Sequence, residues 1–236
     1  STSVPGRAFI VTAPPLRPLV DPLVDALEDE DTVVGVWDSV TGEPSVGTFE
    51  RARAACREMR PDLVVGIGGG SVLDMAKLVA ALNDSDEAVQ DSFGIGNLRG
   101  RRTKLACLPS TSGTGSEVSP NAILLDEDAR LKKGVVSPHL IADSAYVDPE
   151  LTRTVPPDVT AFTGMDALTH CIEAYANLFA HPMIDLFALE GIRLIAANLK
   201  SAYENGGNMR AREGMSLGSL YGGLCLGPVN TGAVHA

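Results

Sequence analysis

Apolar and polar positions follow two different patterns along the chain. Up to about residue 150, short β-branched runs alternate with amphipathic stretches. Residues 8–12 (Ala-Phe-Ile-Val-Thr), 32–37 (Thr-Val-Val-Gly-Val-Trp), 62–67 and 104–108 read as strands. Residues 19–27, 50–59 and 72–82 carry apolar residues at helical spacing between them. The continuous apolar character of 62–67 suits a strand buried on both faces. A βαβα rhythm of this kind predicts a parallel sheet covered by helices.

After Pro156-Pro157 the pattern changes. Residues 158–175, 183–202 and 209–226 are long and Ala/Leu-rich, with few β-branched runs. Asp158 is placed to cap the first of these helices, and Asn205-Gly206-Gly207 breaks the second from the third. The expected organisation is therefore an α/β domain over 1–155 followed by an all-helical domain over 156–236. A cleft between two such halves is a common ligand position.

Composition narrows the function classes. The 236 residues are 44% hydrophobic and 21% charged, enough to offset ordering entropy by burial. Lys+Arg number 19 against 30 Asp+Glu, a net charge of -11 that repels a phosphate backbone and disfavours nucleic acid as a partner. Cys56, Cys107, Cys171 and Cys225 are widely spaced and form no CxxC pair, which suits buried thiols in a reducing cytoplasm. No apolar run approaches about 20 residues, so no membrane span is expected, and no secretion signal is visible at Ser1 to Pro15. The chain stops after an apparently helical stretch without a polar cap, Gly or Pro, which suggests a piece of something longer.

Two loops carry candidate chemistry. Gly68-Gly69-Gly70-Ser71 joins a strand to a helix, where glycines allow close approach and the helix dipole favours an anion. The spacing is neither GxGxxG nor a Walker loop, and a tight connection that binds nothing is the alternative. The segment 109–117 (Pro-Ser-Thr-Ser-Gly-Thr-Gly-Ser-Glu) has five hydroxyl residues and two glycines in nine positions. Hydroxyls can donate to phosphate or ribose oxygens, though such clusters are commonly solvated surface loops. Both loops follow neighbouring strands, a placement that favours a nucleotide pocket.

In the helical half, Asp166 and His170 stand four apart on one helix face, and His235 lies far downstream. The set suits Fe(II), Zn, Mn or Ni, although an i,i+4 pair is more often a simple hydrogen bond. Glu173, three residues after His170, is a competing partner for that imidazole.

The motifs GGGSVLDMAK, PSTSGTGSE and DPELTRTVPPDVTAFTGMDALTHCIEAY, in this order, resemble those of the iron-containing (group III) alcohol dehydrogenases. The resemblance covers nearly the whole chain, and together the motifs are specific. It implies a Rossmann-like nucleotide-binding domain followed by a helical metal-binding domain, incomplete at both ends. It further implies hydride transfer between NAD(P)(H) and a small alcohol or aldehyde. Gly68, Gly69, Gly70, Ser71 and Asp74 would hold the pyrophosphate, while Ser110, Thr111, Thr114 and Lys132 would line the rest of the cofactor. Asp166, His170 and His235 would ligate Fe2+ or Zn2+, with the family's fourth ligand, a later histidine, lacking a counterpart. No proton donor is assigned beyond the metal ligands. Ala13 stands where NAD-preferring members carry Asp, so NADP is a plausible cofactor beside NAD. The segment 226–230 departs from the family's aromatic and Asn pattern. A homodimer or higher homo-oligomer, located in the cytoplasm, is expected. The alternatives are a hydroxyacid–oxoacid transhydrogenase, a maleylacetate-reductase-like enzyme, or a non-catalytic nucleotide-binding module. Maleylacetate reductases lack the metal ligands, and Asp166 with His170 argues against them.

Overall fold

The computed structural model describes residues 4–235. In the first half, β1 (Arg7–Val11), α1 (Arg17–Glu28), β2 (Val33–Trp37), α2 (Val46–Met59), β3 (Leu63–Gly68) and α3 (Gly70–Leu82) follow in the expected order. Next come β4 (Gly94–Ile95), β5 (Lys104–Pro109), β6 (Asn121–Asp126), β7 (Leu131–Val136) and β8 (Ser144–Ala145). The helices α4 (Pro157–Tyr175), α5 (Pro182–Glu204) and α6 (Met209–Leu226) complete the elements. Among the described residues no helix is long and apolar enough to cross a membrane.

The main sheet has the order β2-β1-β3-β5-β8, and β1 pairs in parallel with both β2 and β3. Side chains alternate across a strand, so β1 supplies both faces of the core. Phe9 and Val11 join Phe49, Ala52 and Cys56 of α2 and the apolar side of α3, whereas Ile10 joins Val20, Leu23 and Val24 of α1. Phe49 is fully buried, and removing such a side chain from water contributes about 1.5–3 kcal/mol. That two-sided burial is why β3 reads as an unbroken apolar run.

A second sheet, β4-β7-β6, does not register in the apolar pattern. β7 opens Leu131-Lys132-Lys133-Gly134 and is largely exposed, so it shows neither an apolar run nor a clean alternation. Its antiparallel pairing with β6 is set by the turn instead. Asp126 accepts from Ala129 N–H (3.0 Å) and from Lys133 Nζ (2.7 Å), with Arg130 left-handed at φ +53°. Helix α3 grips the edge of this sheet: Asp74 Oδ2 accepts from Ile123 N–H at 3.0 Å and Lys77 Nζ donates to the Asn121 carbonyl at 2.6 Å.

In the helical part, Ala167, Cys171, Ile195, Ala202, Ala211 and Met215 form one buried cluster. Ala174, Ile184, Ala188, Cys225 and Val229 form another. Helix α4 begins with Pro157 at its first position after an uncapped Pro156. Asp158 is therefore not its N-cap but a first-turn carboxylate, where the helix dipole favours negative charge. Asn208 and His181 do cap α6 and α5, each accepting an N–H from the first turn. Arg212, although buried, donates to Thr160 Oγ1 (2.8 Å) and to the carbonyls of Val155 (3.0 Å) and Gly206 (3.1 Å), stapling the start of α4 to the α5–α6 turn. Beyond Leu226 the chain is not helical: Asn230 turns left-handed at φ +68°, and the path to His235 is irregular.

Two compact units result, Ser1–Leu108 with Pro120–Ala145, and Pro109–Ser119 with Tyr146–Ala236. The expected division at 155/156 differs in two respects. The break falls at 145/146, and the hydroxyl-rich segment belongs to the helical unit. The reason is contact: Gly113 abuts Thr163, Gly115 abuts Gly223, and Ser112 hydrogen-bonds Ser216 at 3.1 Å.

Candidate cofactor turn and metal centre

β1 lies between β2 and β3, so the chain leaves it toward one side and returns on the other. The crevice at such a reversal, beyond the carboxyl ends of the strands, is the usual ligand position in open α/β sheets. Thr12 sits at that point, buried, and its hydroxyl donates to the Ile67 carbonyl at 2.8 Å, tying the end of β1 to the end of β3. Ala13 follows directly. β3 ends at Gly68, Gly69 takes the N-cap position with an extended backbone, and α3 starts at Gly70. No side chain caps this helix and no carboxylate stands in its first turn, so its first N–H groups and positive dipole end are presented by backbone alone. A Cβ on Gly68 would lie 2.6 Å from Val72, which explains the glycine by the tightness of the strand-to-helix turn.

The other expected cofactor residues have varied surroundings. The Asp74 carboxylate is engaged on β6, and Lys132 Nζ lies 2.6 Å from Glu43 Oε1 with most of its side chain in solvent. In the helical unit, Ser110 is buried, Thr111 and Thr114 are half-buried, and Thr114 Oγ1 accepts from Ser116 N–H at 3.2 Å.

The metal candidates do converge. Asp166, His170 and His235 each offer one ligand atom within 4.8 Å of the others. His235 Nε2 is 3.1 Å and His170 Nε2 3.9 Å from Asp166 Oδ1, and the two imidazoles stack with centroids 4.5 Å apart. The long excursion from α6 brings this about. Val229 plugs the cluster around Ala174, Asn177 Nδ2 donates to the Thr231 carbonyl at 3.1 Å, and Gly232 then passes the Glu173 side chain. Val234 N–H donates to Glu173 Oε1 at 2.6 Å, and His235 Nδ1 meets Glu173 Oε2 at 2.5 Å. Glu173 is thus the partner of His235 rather than of His170. The spacing 166, 170, 173 puts all three side chains on one helix face, which is the sequence signal that joins Glu173 to the site.

The local electrostatics follow from these contacts. Burial holds the His170 imidazole below its ordinary pKa, against the attraction of Asp166, and His235 beside it adds to the depression. His170 Nδ1 is buried without a hydrogen bond of ordinary geometry, although a looser contact between the ring and the Gly113 backbone favours its protonated form. Burial opposes ionisation of Glu173, but its bonds to His235 and to the N–H groups of Val234 and Gly232 carry its carboxyl below the usual range. For His235, burial is outweighed by Glu173 and Asp166, and its pKa is raised. One carboxylate oxygen and two imidazole nitrogens form a hard-to-borderline donor set that suits a divalent transition metal. The residues present fit such an ion.

Comparison with known proteins places the chain in a family. Residues 2–149 match the model of the iron-containing alcohol dehydrogenases, and residues 160–236 match the model of the family's C-terminal part. The chain is 44% identical over 224 residues to long-chain-alcohol dehydrogenase 1 of Geobacillus thermodenitrificans, covering 92% of this chain and 55% of that protein. It is 35% identical to the sulfoacetaldehyde reductase of Bilophila wadsworthia, over 98% of this chain and 60% of that one. Among solved structures, a 1,3-propanediol oxidoreductase superposes with a TM-score of 0.93 at 33% identity, over 98% of this chain and 61% of that one. The NAD+ complex of sulfoacetaldehyde reductase from Bifidobacterium kashiwanohense superposes with a TM-score of 0.88 at 30% identity, over 98% and 62%. The chain belongs to the iron-containing alcohol dehydrogenase family. It spans somewhat more than half the length of these relatives.

Proposed function

We propose that this chain carries the nucleotide-binding and metal-binding parts of an oxidoreductase that transfers hydride between NAD(P)(H) and a small alcohol or aldehyde. The convergence of Asp166, His170 and His235 carries this reading. A divalent ion, Fe2+ or Zn2+, would be held by these three residues and would polarise the substrate oxygen as a Lewis acid. Asp166 supplies the negative charge of the site, while buried His170 supplies a neutral ring whose depressed pKa keeps a nitrogen lone pair available.

Gly68 to Ser71 would receive the cofactor's pyrophosphate on backbone N–H groups, which a chain of net charge -11 can do without a basic patch. Ser110, Thr111 and Thr114 would contact the nicotinamide half through their hydroxyls. Asp74 and Lys132 contribute through the elements they brace, since both side chains are already engaged. Ala13 adjoins the β1–β3 crevice and brings no carboxylate of its own, so NADP(H) is accepted beside NAD(H). A homodimer in the cytoplasm is the proposed state, and four buried cysteine thiols accord with a reducing environment.

The test pairs elemental analysis of the purified protein with absorbance at the nicotinamide band, using an aldehyde panel and each cofactor. Bound divalent metal that falls on Asp166→Ala or His170→Ala, with cofactor binding kept, supports the reading. Unchanged metal stoichiometry in both variants sinks it.

A further inference from the structure

We propose that Glu173 is a positioning residue that selects which nitrogen of His235 faces the metal centre. The argument rests on the metal reading above and on the two faces of one imidazole. His235 Nδ1 lies 2.5 Å from Glu173 Oε2, and Nε2 lies 3.1 Å from Asp166 Oδ1. Ionised carboxylates only accept and one faces each ring nitrogen, so in the neutral ring the shorter contact, 2.5 Å against 3.1 Å, places the proton on Nδ1 and leaves Nε2 turned toward Asp166 and His170. The other Glu173 oxygen accepts from Val234 N–H at 2.6 Å, which fixes the backbone immediately before the ring. Glu173 therefore sets both the tautomer and the location of His235.

The position is built for this task. Glu173 is 8% exposed on α4, two turns along the same face from Asp166. A Cβ on Gly232 would come within 3.1 Å of Glu173 Oε1, so glycine there lets the strand of chain close over the carboxylate. A carboxylate behind a ligand histidine raises the ring's basicity and holds its orientation, and losing such a partner typically lowers metal affinity about 10–100-fold.

Glu173→Gln is nearly isosteric but has one acceptor oxygen for two donors. It must release either Val234 N–H or His235 Nδ1–H, or turn the ring over. The experiment records long-range 1H–15N correlations of the histidine rings in metal-free wild type and Glu173→Gln, at a pH where the rings are neutral. It adds Zn2+ affinity by chelator competition, with thermal unfolding as the control for fold. Expected are an Nδ1–H His235 in wild type, a mixture or the Nε2–H form in the variant, and Zn2+ affinity lowered about 10–100-fold at a retained melting transition. Glu173→Ala should lose at least as much. An Nε2–H His235 in wild type overturns the proposal, as does an unaltered tautomer with Zn2+ affinity within about twofold of wild type. Zn2+ uptake that ignores Asp166→Ala overturns the metal reading instead, a separate failure because the tautomer is read without metal.

Discussion

The segments after β3 and after β5 both place glycines beyond a strand, for different physical reasons. After β3 the glycines serve their own turn: Gly68 faces Val72 four residues on, and Gly69 hands an uncapped helix its first N–H groups. After β5 the glycines serve packing against distant helices. A Cβ on Gly115 would lie 2.3 Å from the Gly223 Cα, and one on Gly113 would lie 2.6 Å from the Thr163 Cβ. A glycine after a strand is thus a poor guide to ligand contact by itself. What distinguishes the first loop is the open helix start behind it, and what distinguishes the second is a hydroxyl set that remains after the glycines are explained.

The largest effect separating the two loops is expected at Gly115. It combines φ +61° with backbone, not side chain, in the way of a Cβ, so no rotamer change relieves the clash. Gly115→Ala should destabilise the helical unit by about 3 kcal/mol or more, the sum of overpacking and left-handed strain. Urea unfolding followed by helical circular dichroism measures it, and a loss below about 1 kcal/mol would remove the packing explanation. Gly68→Ala meets the Cβ and both methyls of Val72, which no rotamer change clears, but its backbone carries no left-handed strain, so about 1–3 kcal/mol is expected together with weakened nucleotide binding. Unaltered nucleotide affinity in a folded Gly68→Ala protein would reduce the first loop to a connection.

These contrasts also show how far the sequence reaches. The parallel sheet, six helices and three metal candidates are legible because each rests on periodicity or on rare residues with simple spacing. The β6–β7 hairpin is not, since Lys132, Lys133 and Gly134 carry no apolar alternation and its register depends on Asp126 capping a turn. Nor is the allegiance of 109–119 to the helices, because a Gly115–Gly223 backbone contact joins positions over a hundred residues apart and leaves no local pattern. Glu173 lies between: its helix face is readable, but its partner depends on the irregular path from Asn230 to His235.

A change at the end of β1 sharpens the first loop's role. Ala13 directly follows Thr12, whose hydroxyl holds β1 to β3 beside the glycine turn. Ala13→Asp places a carboxylate at the crevice, repelling a 2′-phosphate while offering an acceptor to a 2′-hydroxyl. The ratio of NADP(H) to NAD(H) affinity should fall about tenfold or more, corresponding to about 1.4 kcal/mol of like-charge repulsion. Titration of each cofactor by nicotinamide fluorescence gives the ratio, and no change would move the adenosine site away from β1.

The smallest effect, a coupling energy, belongs to the second loop and tests whether its hydroxyls are structural. Ser112 and Ser216 are buried and 3.1 Å apart, a pair in which either can donate. Removing one hydroxyl leaves the other buried without its partner, so Ser112→Ala and Ser216→Ala should each cost about 1–2 kcal/mol. Removing both takes away the desolvated polar groups together and should cost less than the sum, giving a coupling of about 0.5–1 kcal/mol in a double-mutant cycle. Ser110→Ala, Thr111→Ala and Thr114→Ala supply the contrast: a loop that uses these three for a ligand loses cofactor affinity there and stability at Ser112. If Ser112→Ala instead lowers cofactor affinity while the cycle shows no coupling, the buried pair is not what anchors the loop to α6, and the division of labour between its hydroxyls fails.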